Sequence, residues 1–393
     1  MTGQAPGATL ENLIAGHRPG HALEQGFYLR DDVCARDMAL LLDRWTCVGH
    51  VSEVAEPGNW ITTELDVESA IVVRGEDGVL RALANVCRHR GSRICVAARG
   101  SAATLTCPYH AWSYHLDGRL RAAREMPDGF DPAGHGLRAL PLKEIGGLIF
   151  ISFGDGPPDL SVAEPALAAF CERYAWPTAK IAHRAMYAVG ANWKLALENY
   201  HECYHCAPAH PEFSVVHALA RPGARTIATD TAQDDGYADT EVWGPESDGA
   251  EVVRVMRSAL SQGAQSGSVD GRPVAPAMGP LDGHCLFAEL GFLSAFLAYA
   301  DYGVIYRFIP HGVLETRIEV IWLVRGDAVE GRDYDLARLT WLWDVTSVAD
   351  KRIIETNQAG VRSRHYRPGP FSLMEPGTKA YVARYVAELA VRS

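Results

Sequence analysis

The amino-acid sequence predicts an α+β protein of two domains, a small all-β domain followed by an antiparallel sheet with helices packed on it. Three observations carry the expectation. The chain has 393 residues, more than one ordinary core serves and comfortable for two. Between about residues 46 and 153, short alternating runs are cut by turn dipeptides, the texture of hairpins. Further on, stretches with helical spacing surround one clear strand pair.

Taken in order, residues 1–45 read as a helical lead-in that packs on the second domain. Leu10, Leu13 and Ile14 recur at helical spacing, as do Met38, Leu41, Leu42 and Trp45. The all-β domain takes 46–158. Its runs Trp60 to Leu65, Ala70 to Arg74 and Leu148 to Phe153 are separated by Pro57-Gly58, Asp77-Gly78 and Asp117-Gly118. Gly154 to Asp159, with two prolines and two glycines, reads as a linker or edge loop. The second domain takes 159–393. It opens with a helix from Pro165 to Tyr174, and a second helix is expected from about Asn192 to Cys206, stopping near Pro208. Arg221 to Gly283 is rich in Gly, Ser, Asp and Pro and reads as loops, of which a lid is one form. Val304 to Pro310 and Glu315 to Val324 read as a hairpin turning at His311-Gly312. A long amphipathic helix from Tyr334 to Ala359 and a last one from Thr378 to Val391 complete the chain.

The net charge of −11, with no block of lysines or arginines, leaves nucleic acid and anionic membranes without an electrostatic footprint. Met1 to Gly16 lacks the pattern of a secretory signal, and no stretch approaches the roughly 20 apolar residues of a membrane span. The chain therefore reads as cytoplasmic, with small molecules or proteins as partners. Its nine scattered cysteines, an odd number without a signal peptide, argue against a disulfide framework and leave free thiols and metal ligands.

Cys87 and His89 fall in one expected turn, Cys107 and His110 in another, with seventeen residues between His89 and Cys107. Each turn thus offers one thiolate and one imidazole. A Rieske [2Fe-2S] centre needs two cysteines on one iron and two histidines on the other, and two matched turns supply both pairs. A structural zinc site accepts the same four side chains, but zinc fingers usually pair Cys with Cys and His with His at short spacing.

Glu198, His201, Glu202, His205 and His210 crowd into the stretch NWKLALENYHECYHCAPAHPEF. Oxygen-activating iron(II) typically takes two histidines and one carboxylate, leaving positions open. His205 and His210 cannot share a face of one continuous helix, because five residues advance the direction by about 140°. Pro208, by breaking the helix, is expected to let the chain fold His210 back beside His205. His201 to His205 also matches H-E-x-x-H, the helical zinc motif of metallopeptidases, which has no use for the Cys/His turns upstream. Cys203 and Cys206 form C-x-x-C. A thioredoxin-like motif should open a helix after a strand, whereas this one lies near a helix end, so both read as packing residues. In the late helix Leu339, Trp343, Thr346, Asp350, Ile354 and Asn357 follow at steps of three or four. Asp350 thus sits on a largely apolar stripe and needs either a metal or a salt-bridge partner.

At these residues the chain resembles a known family. CRHRGSRIC and CPYHAW resemble the Rieske domain of ring-hydroxylating oxygenases, while NWKLALENYHECYHCAPAHP and TSVADKRIIETNQAGVRSRHYRPGPFS are similar to that family's two catalytic-domain signatures. One departure is Ala111, where many members carry Gly, a change expected to alter a turn and not the ligation. The resemblance implies a Rieske domain followed by a catalytic domain of the SRPBCC (Bet v1-like) kind. Cys87, His89, Cys107 and His110 would bind the cluster, and His205, His210 and Asp350 the mononuclear Fe(2+). Glu202 would bridge His205 to His110 of a neighbouring subunit in a head-to-tail ring, commonly a homotrimer. Dioxygen is then the co-substrate. The chain has no glycine-rich dinucleotide fingerprint, so NAD(P)H acts through a separate flavin- or ferredoxin-type reductase.

YHECYHC and RPGPFSLMEPG, and Glu in place of the Asp usual in aromatic ring hydroxylases, look like the branch that demethylates glycine betaine and proline betaine type compounds. That implies hydroxylation of an N-methyl group and release of formaldehyde. A methylated ammonium favours an aromatic cage, for which Trp243, Phe287, Phe292, Tyr299, Tyr302 and Tyr306 are available, although core or strand packing is the commoner role for any single one of them. Hydroxylation or O-demethylation of an aromatic substrate is the alternative.

Overall fold

A computed structural model describes residues 9–217, 251 and 253–391. The lead-in forms three helices, α1 (Leu10–Gly16), α2 (Gln25–Leu29) and α3 (Asp31–Leu42). Thr9 caps α1 by accepting the Asn12 amide at 3.3 Å. The strands of the first half follow as β1 (Thr46–His50), β2 (Asn59–Leu65), β3 (Glu68–Arg74), β4 (Leu80–Ala84), β5 (Arg99–Ser101), β6 (Leu105–Thr106), β7 (Ser113–Tyr114), β8 (Leu120–Ala122), β9 (Ala139–Leu140), β10 (Leu142–Ile145) and β11 (Leu148–Ile151).

These strands make a five-stranded sheet in the order β5-β2-β3-β4-β9 and two three-stranded ones, β6-β7-β8 and β1-β11-β10. The β2–β3 hairpin turns in two residues, a geometry that needs left-handed backbone, which Asp66 supplies at φ 55°. In β3 the alternation shows directly. Ile71 and Val73 join the core beneath Cys87, Cys107 and Trp112, whereas Ala70 and Val72 join a second core with Val48 and Ile149. Both faces are covered, so β3 reads as a continuous apolar run.

The second half contains α4 (Ala163–Arg173), β12 (Ala179–Val189), α5 (Trp193–Tyr200), α6 (Cys206–Ala209), α7 (Pro211–Val216), β13 (Val253–Ala259), β14 (His284–Leu290), β15 (Ser294–Ala298), β16 (Gly303–Pro310), β17 (Thr316–Arg325), α8 (Leu336–Val361) and α9 (Pro376–Val391). Its sheet is antiparallel throughout, in the order β12-β17-β16-β15-β14-β13. The expected hairpin is β16–β17, with Pro310 opposite Thr316. Helix α8 is capped by the Asp335 side chain, which accepts the Arg338 amide at 2.9 Å, and it buries Leu339, Leu342, Trp343, Thr346 and Ile354. Among the described residues no helix is long and apolar enough to cross a membrane.

Four expectations are corrected. The helix expected to reach Cys206 stops at Tyr200, because the Glu202 carboxylate accepts the Tyr204 and His205 amides and turns the chain out of the helix. Pro208 therefore does not break a long helix; it sits inside the short α6, where its ring is tolerated near the start. Cys203 and Cys206 are not separate packing residues but are joined as a disulfide. In the stretch from 221 to 283, expected as loops, Val253–Ala259 is a strand whose Val253 and Val255 reach the core. The remainder of that stretch up to residue 250 lies outside the described residues, as does any lid there.

A buried ion pair ties the lead-in to the site-bearing helix. Lys194 on α5 and Asp37 on α3 are both fully buried and in contact, and Asp37 also accepts the Tyr385 hydroxyl at 2.6 Å and the Trp193 indole N–H at 3.2 Å. Removing one partner strands the other charge. Lys194→Met is expected to destabilise by about 3–5 kcal/mol, read as a lowered denaturant midpoint with unchanged slope.

Candidate metal centres

The two cluster loops have matching construction. Cys87 N–H donates to Ser92 O and Cys107 N–H to Trp112 O, both at 2.8 Å, while the Gly91 and Ala111 amides close tight turns onto Cys87 O and Cys107 O at 3.0 and 3.1 Å. The corner of each turn is left-handed, Gly91 at φ 78° and Ala111 at φ 57°. Ala111 thus takes the conformation glycine favours at a cost of about 1 kcal/mol, and the turn expected to change is kept. Cys87 and Cys107 are buried at 3% and 2% exposure, whereas His89 and His110 are exposed, with their Nδ1 atoms 3.2 Å apart.

Two imidazole nitrogens facing each other at the surface, with two buried sulfurs in the same loops, make up the donor set that would hold a [2Fe-2S] cluster. The surroundings suit thiolates. Burial works to raise the Cys107 thiol, but the Tyr109 and His110 amides and Cys87 outweigh it and hold it below its ordinary value. The Tyr114 hydroxyl accepts the Arg88 amide at 3.0 Å, which leaves its proton for Cys87 Sγ at 3.2 Å. Trp112 stacks on His89 at 4.9 Å. Sequence reasoning missed Tyr114; its placement four residues past His110, on the strand leaving the loop, was the available signal.

At the second centre, Asp350 Oδ1 lies 3.2 Å from His205 Nε2 and 3.2 Å from His210 Nε2. Two donors each about 2.1 Å from an ion and at right angles lie about 3 Å apart, so Asp350 Oδ1 stands to each imidazole nitrogen as a neighbouring donor in one coordination sphere would. Glu202 Oε1 is 2.5 Å from His205 Nδ1. The ring therefore donates its Nδ1–H to that carboxylate and turns its Nε2 lone pair inward. The site demands positive charge: burial works against a protonated His205, yet its bonds to Asp350 and Glu202 push it up to about 9. A divalent cation answers the same demand.

The remaining acidic and basic groups of the motif point elsewhere. Burial pushes Glu198 up to about 8, and the Tyr28 hydroxyl donates to its two oxygens at 2.8 and 3.0 Å. His201, the first histidine of H-E-x-x-H, faces Glu289 at 3.7 Å and the Tyr381 ring. On α8, Asp344 accepts the Tyr187 hydroxyl at 2.6 Å and Glu355 the Gly190 amide at 2.9 Å, so of these three carboxylates Asp350 is the one turned to the histidines. Asn199, which sequence reasoning missed, places Nδ2 3.2 Å from His205 Nε2.

Beside His210 lies a group of aromatic rings. Phe213 is 5.3 Å from His210 and 5.5 Å from Trp343, and Trp343 is 5.6 Å from Tyr306 and 6.4 Å from Tyr299. His217 stacks on Phe213, accepts the Tyr299 hydroxyl at 2.8 Å and lies 6.1 Å from Phe287. Of the expected cage residues, Phe287, Tyr299 and Tyr306 thus gather here, and Tyr302 stacks behind Tyr299 at 4.6 Å. Phe292 does not; it packs on Trp193 and Tyr381. Trp243 lies outside the described residues. Phe213, His217 and Trp343 were not singled out for the cage, and only the i, i+4 spacing of Phe213 and His217 hinted at a shared face.

Comparison with known proteins assigns a family to each half of the chain. Residues 44–141 match the family model Rieske [2Fe-2S] domain, and residues 171–390 match Ring hydroxylating alpha subunit (catalytic domain). The chain is 35% identical over 379 residues to the glycine betaine monooxygenase oxygenase subunit of Chromohalobacter salexigens, covering 92% of this chain and 84% of that one. It is 36% identical over 377 residues to the subunit of the same name from Pseudomonas aeruginosa, covering 92% and 87%. A crystal structure of a quaternary ammonium Rieske monooxygenase with a bound inhibitor shares the fold at TM-score 0.75 and 23% identity, over 97% of this chain and 98% of the other. The chain belongs to the Rieske-type ring-hydroxylating oxygenase family, as an alpha subunit carrying a [2Fe-2S] cluster and a non-haem iron and fed by a reductase.

Proposed function

We propose that this oxygenase removes an N-methyl group from a betaine-type quaternary ammonium compound. The observation that carries the reading is the aromatic group of Phe213, Tyr299, Tyr306 and Trp343 set against His210. A quaternary ammonium has no N–H to donate, so ring faces are its best partners, each worth about 0.5–2 kcal/mol. Tyr200, whose ring lies 5.6 Å from Tyr306, carries a buried hydroxyl with no partner among the described residues, a donor suited to a carboxylate. The curated relatives named for glycine betaine support the same substrate class.

In this reading Cys87, His89, Cys107 and His110 hold the cluster within 46–158, and His205, His210 and Asp350 hold the iron within 159–393. When bound, these groups supply single electrons, reduction of dioxygen and entry of one oxygen atom into an N-methyl C–H bond. The protein's residues do the rest. Glu202 fixes the tautomer of His205, Asp350 spans the two imidazoles, and the ring wall orients the ammonium and excludes water. The hydroxymethyl product then loses formaldehyde and a proton, leaving a tertiary amine.

Electron supply is read as crossing between subunits of a homotrimer in the cytoplasm. Glu202 lines a surface cavity of about 370 Å³ with Asn199, His205, Phe371 and Glu375, and the adjoining Leu373 is 95% exposed. The exposed His89 and His110 of another copy would meet such a surface. The test is formaldehyde released from glycine betaine, proline betaine, carnitine and choline with a surrogate reductase and NAD(P)H. One formaldehyde per NAD(P)H from at least one of them is expected; none from any, with hydroxylation of an aromatic acid instead, would turn the reading to the alternative substrate.

A further inference from the structure

The loop that carries His205 also carries two sulfurs. Cys203 and Cys206 are joined across it, with Cα atoms 4.9 Å apart, and Cys206 is 2% exposed. The donor atoms of His205, Cys206 and His210 all lie within 4.8 Å of one another, and Cys206 Sγ is 4.0 Å from His205 Nε2, the atom that also faces Asp350. Two ligand sets therefore overlap at one place. They share both histidines and differ in the third member, a carboxylate oxygen or a sulfur.

That difference decides which ion is preferred. Two imidazoles and a carboxylate with open positions suit iron(II), whereas adding a thiolate shifts a site toward zinc. A sulfur tied up in a disulfide has no thiolate to give. We propose that the Cys203–Cys206 pair is a thiol–disulfide switch of metal choice: as the dithiol, Cys206 joins His205 and His210 in a site for zinc, and as the disulfide it is withdrawn, leaving the iron set. The chemistry balances as two thiols and one molecule of hydrogen peroxide giving the disulfide and two waters; a dithiol reverses it by giving two electrons and two protons, and a phosphine by giving two electrons and taking the oxygen of a water molecule, whose two protons go to the sulfurs. In a compartment that keeps thiols reduced, such a pair is regulatory rather than structural.

The inference rests on the reading of His205 and His210 as metal ligands. It is tested on cluster-loaded protein whose helix-borne ion has been removed by a chelator, using iodoacetamide labelling and peptide mass mapping. Without reductant, Cys203 and Cys206 are both expected to resist labelling; with a phosphine both become labelled. Zinc added to the reduced protein is expected to slow labelling of Cys206 by on the order of tenfold or more while Cys203 stays reactive, and His210→Ala to abolish that protection. Full labelling of both cysteines without reductant overturns the switch, as does zinc that protects neither or protects both alike. If His210→Ala keeps its iron, the ligand reading itself fails. If it loses iron while zinc leaves wild-type Cys206 labelling unchanged, the inference alone fails.

Discussion

Replacing His210 by Ala is expected to empty the helix-borne iron site and bring turnover to background while leaving the [2Fe-2S] cluster in place. His210 is 2% exposed and its Nε2 meets Asp350 Oδ1 at 3.2 Å, so its loss removes one of three converging donors and leaves a half-buried carboxylate with one imidazole. Iron assay should fall from about three to about two per chain, because the cluster alone accounts for two. The reduced cluster should keep its EPR signal. His201→Ala is the control that separates this site from a peptidase-like H-E-x-x-H, since His201 turns toward Glu289 and Tyr381. Should His201→Ala lose the third iron and His210→Ala retain it, the ligand assignment is wrong.

What the sequence revealed and what it hid divide along physical lines. The pairing of the four loop residues was legible because tight turns are local: the Cys and His of each loop lie within three residues of one another, and the closing hydrogen bonds fall inside the same short segments. Asp350 was legible because a buried helix face has a fixed period, and a carboxylate on it stands out against Trp343, Thr346 and Ile354. The break after Tyr200 was not, because it depends on where the Glu202 side chain turns, and Glu is an ordinary helix former. The proximity of His205 and His210 was expected for a reason the structure replaces: Glu202 ends the first helix, and one turn of α6 then separates the two rings by 5.1 Å. The aromatic group was half legible. Tyr306 lies on β16 and Tyr299 just past the end of the neighbouring β15, but Phe213 and Trp343 arrive from two helices, and no local pattern joins them.

The same residue that ends the helix carries the second prediction. Glu202 Oε1 takes the His205 Nδ1–H at 2.5 Å, while Oε2 accepts the amides of Tyr204 and, at 3.2 Å, His205, so one carboxylate shapes the loop and sets the ring. Glu202→Gln keeps the length and one acceptor oxygen but removes the charge. Both metals are therefore expected to stay bound, at about three irons per chain. Coupled formaldehyde production should drop by on the order of 100-fold, the upper range for outer-shell partners of a metal ligand. A merely structural role would damage every route to product alike, so the route is the discriminating measurement. Hydrogen peroxide brings both its oxygen and two electrons and needs nothing from the cluster. If Glu202 serves passage of electrons from a neighbouring His110 to His205, Glu202→Gln should form product with peroxide at near the wild-type rate, while its reduced cluster fails to reoxidise when dioxygen and substrate are added. Equal losses with reductase and with peroxide would reduce Glu202 to a support for the His205 ring, and full activity with the reductase would remove it from the electron path altogether.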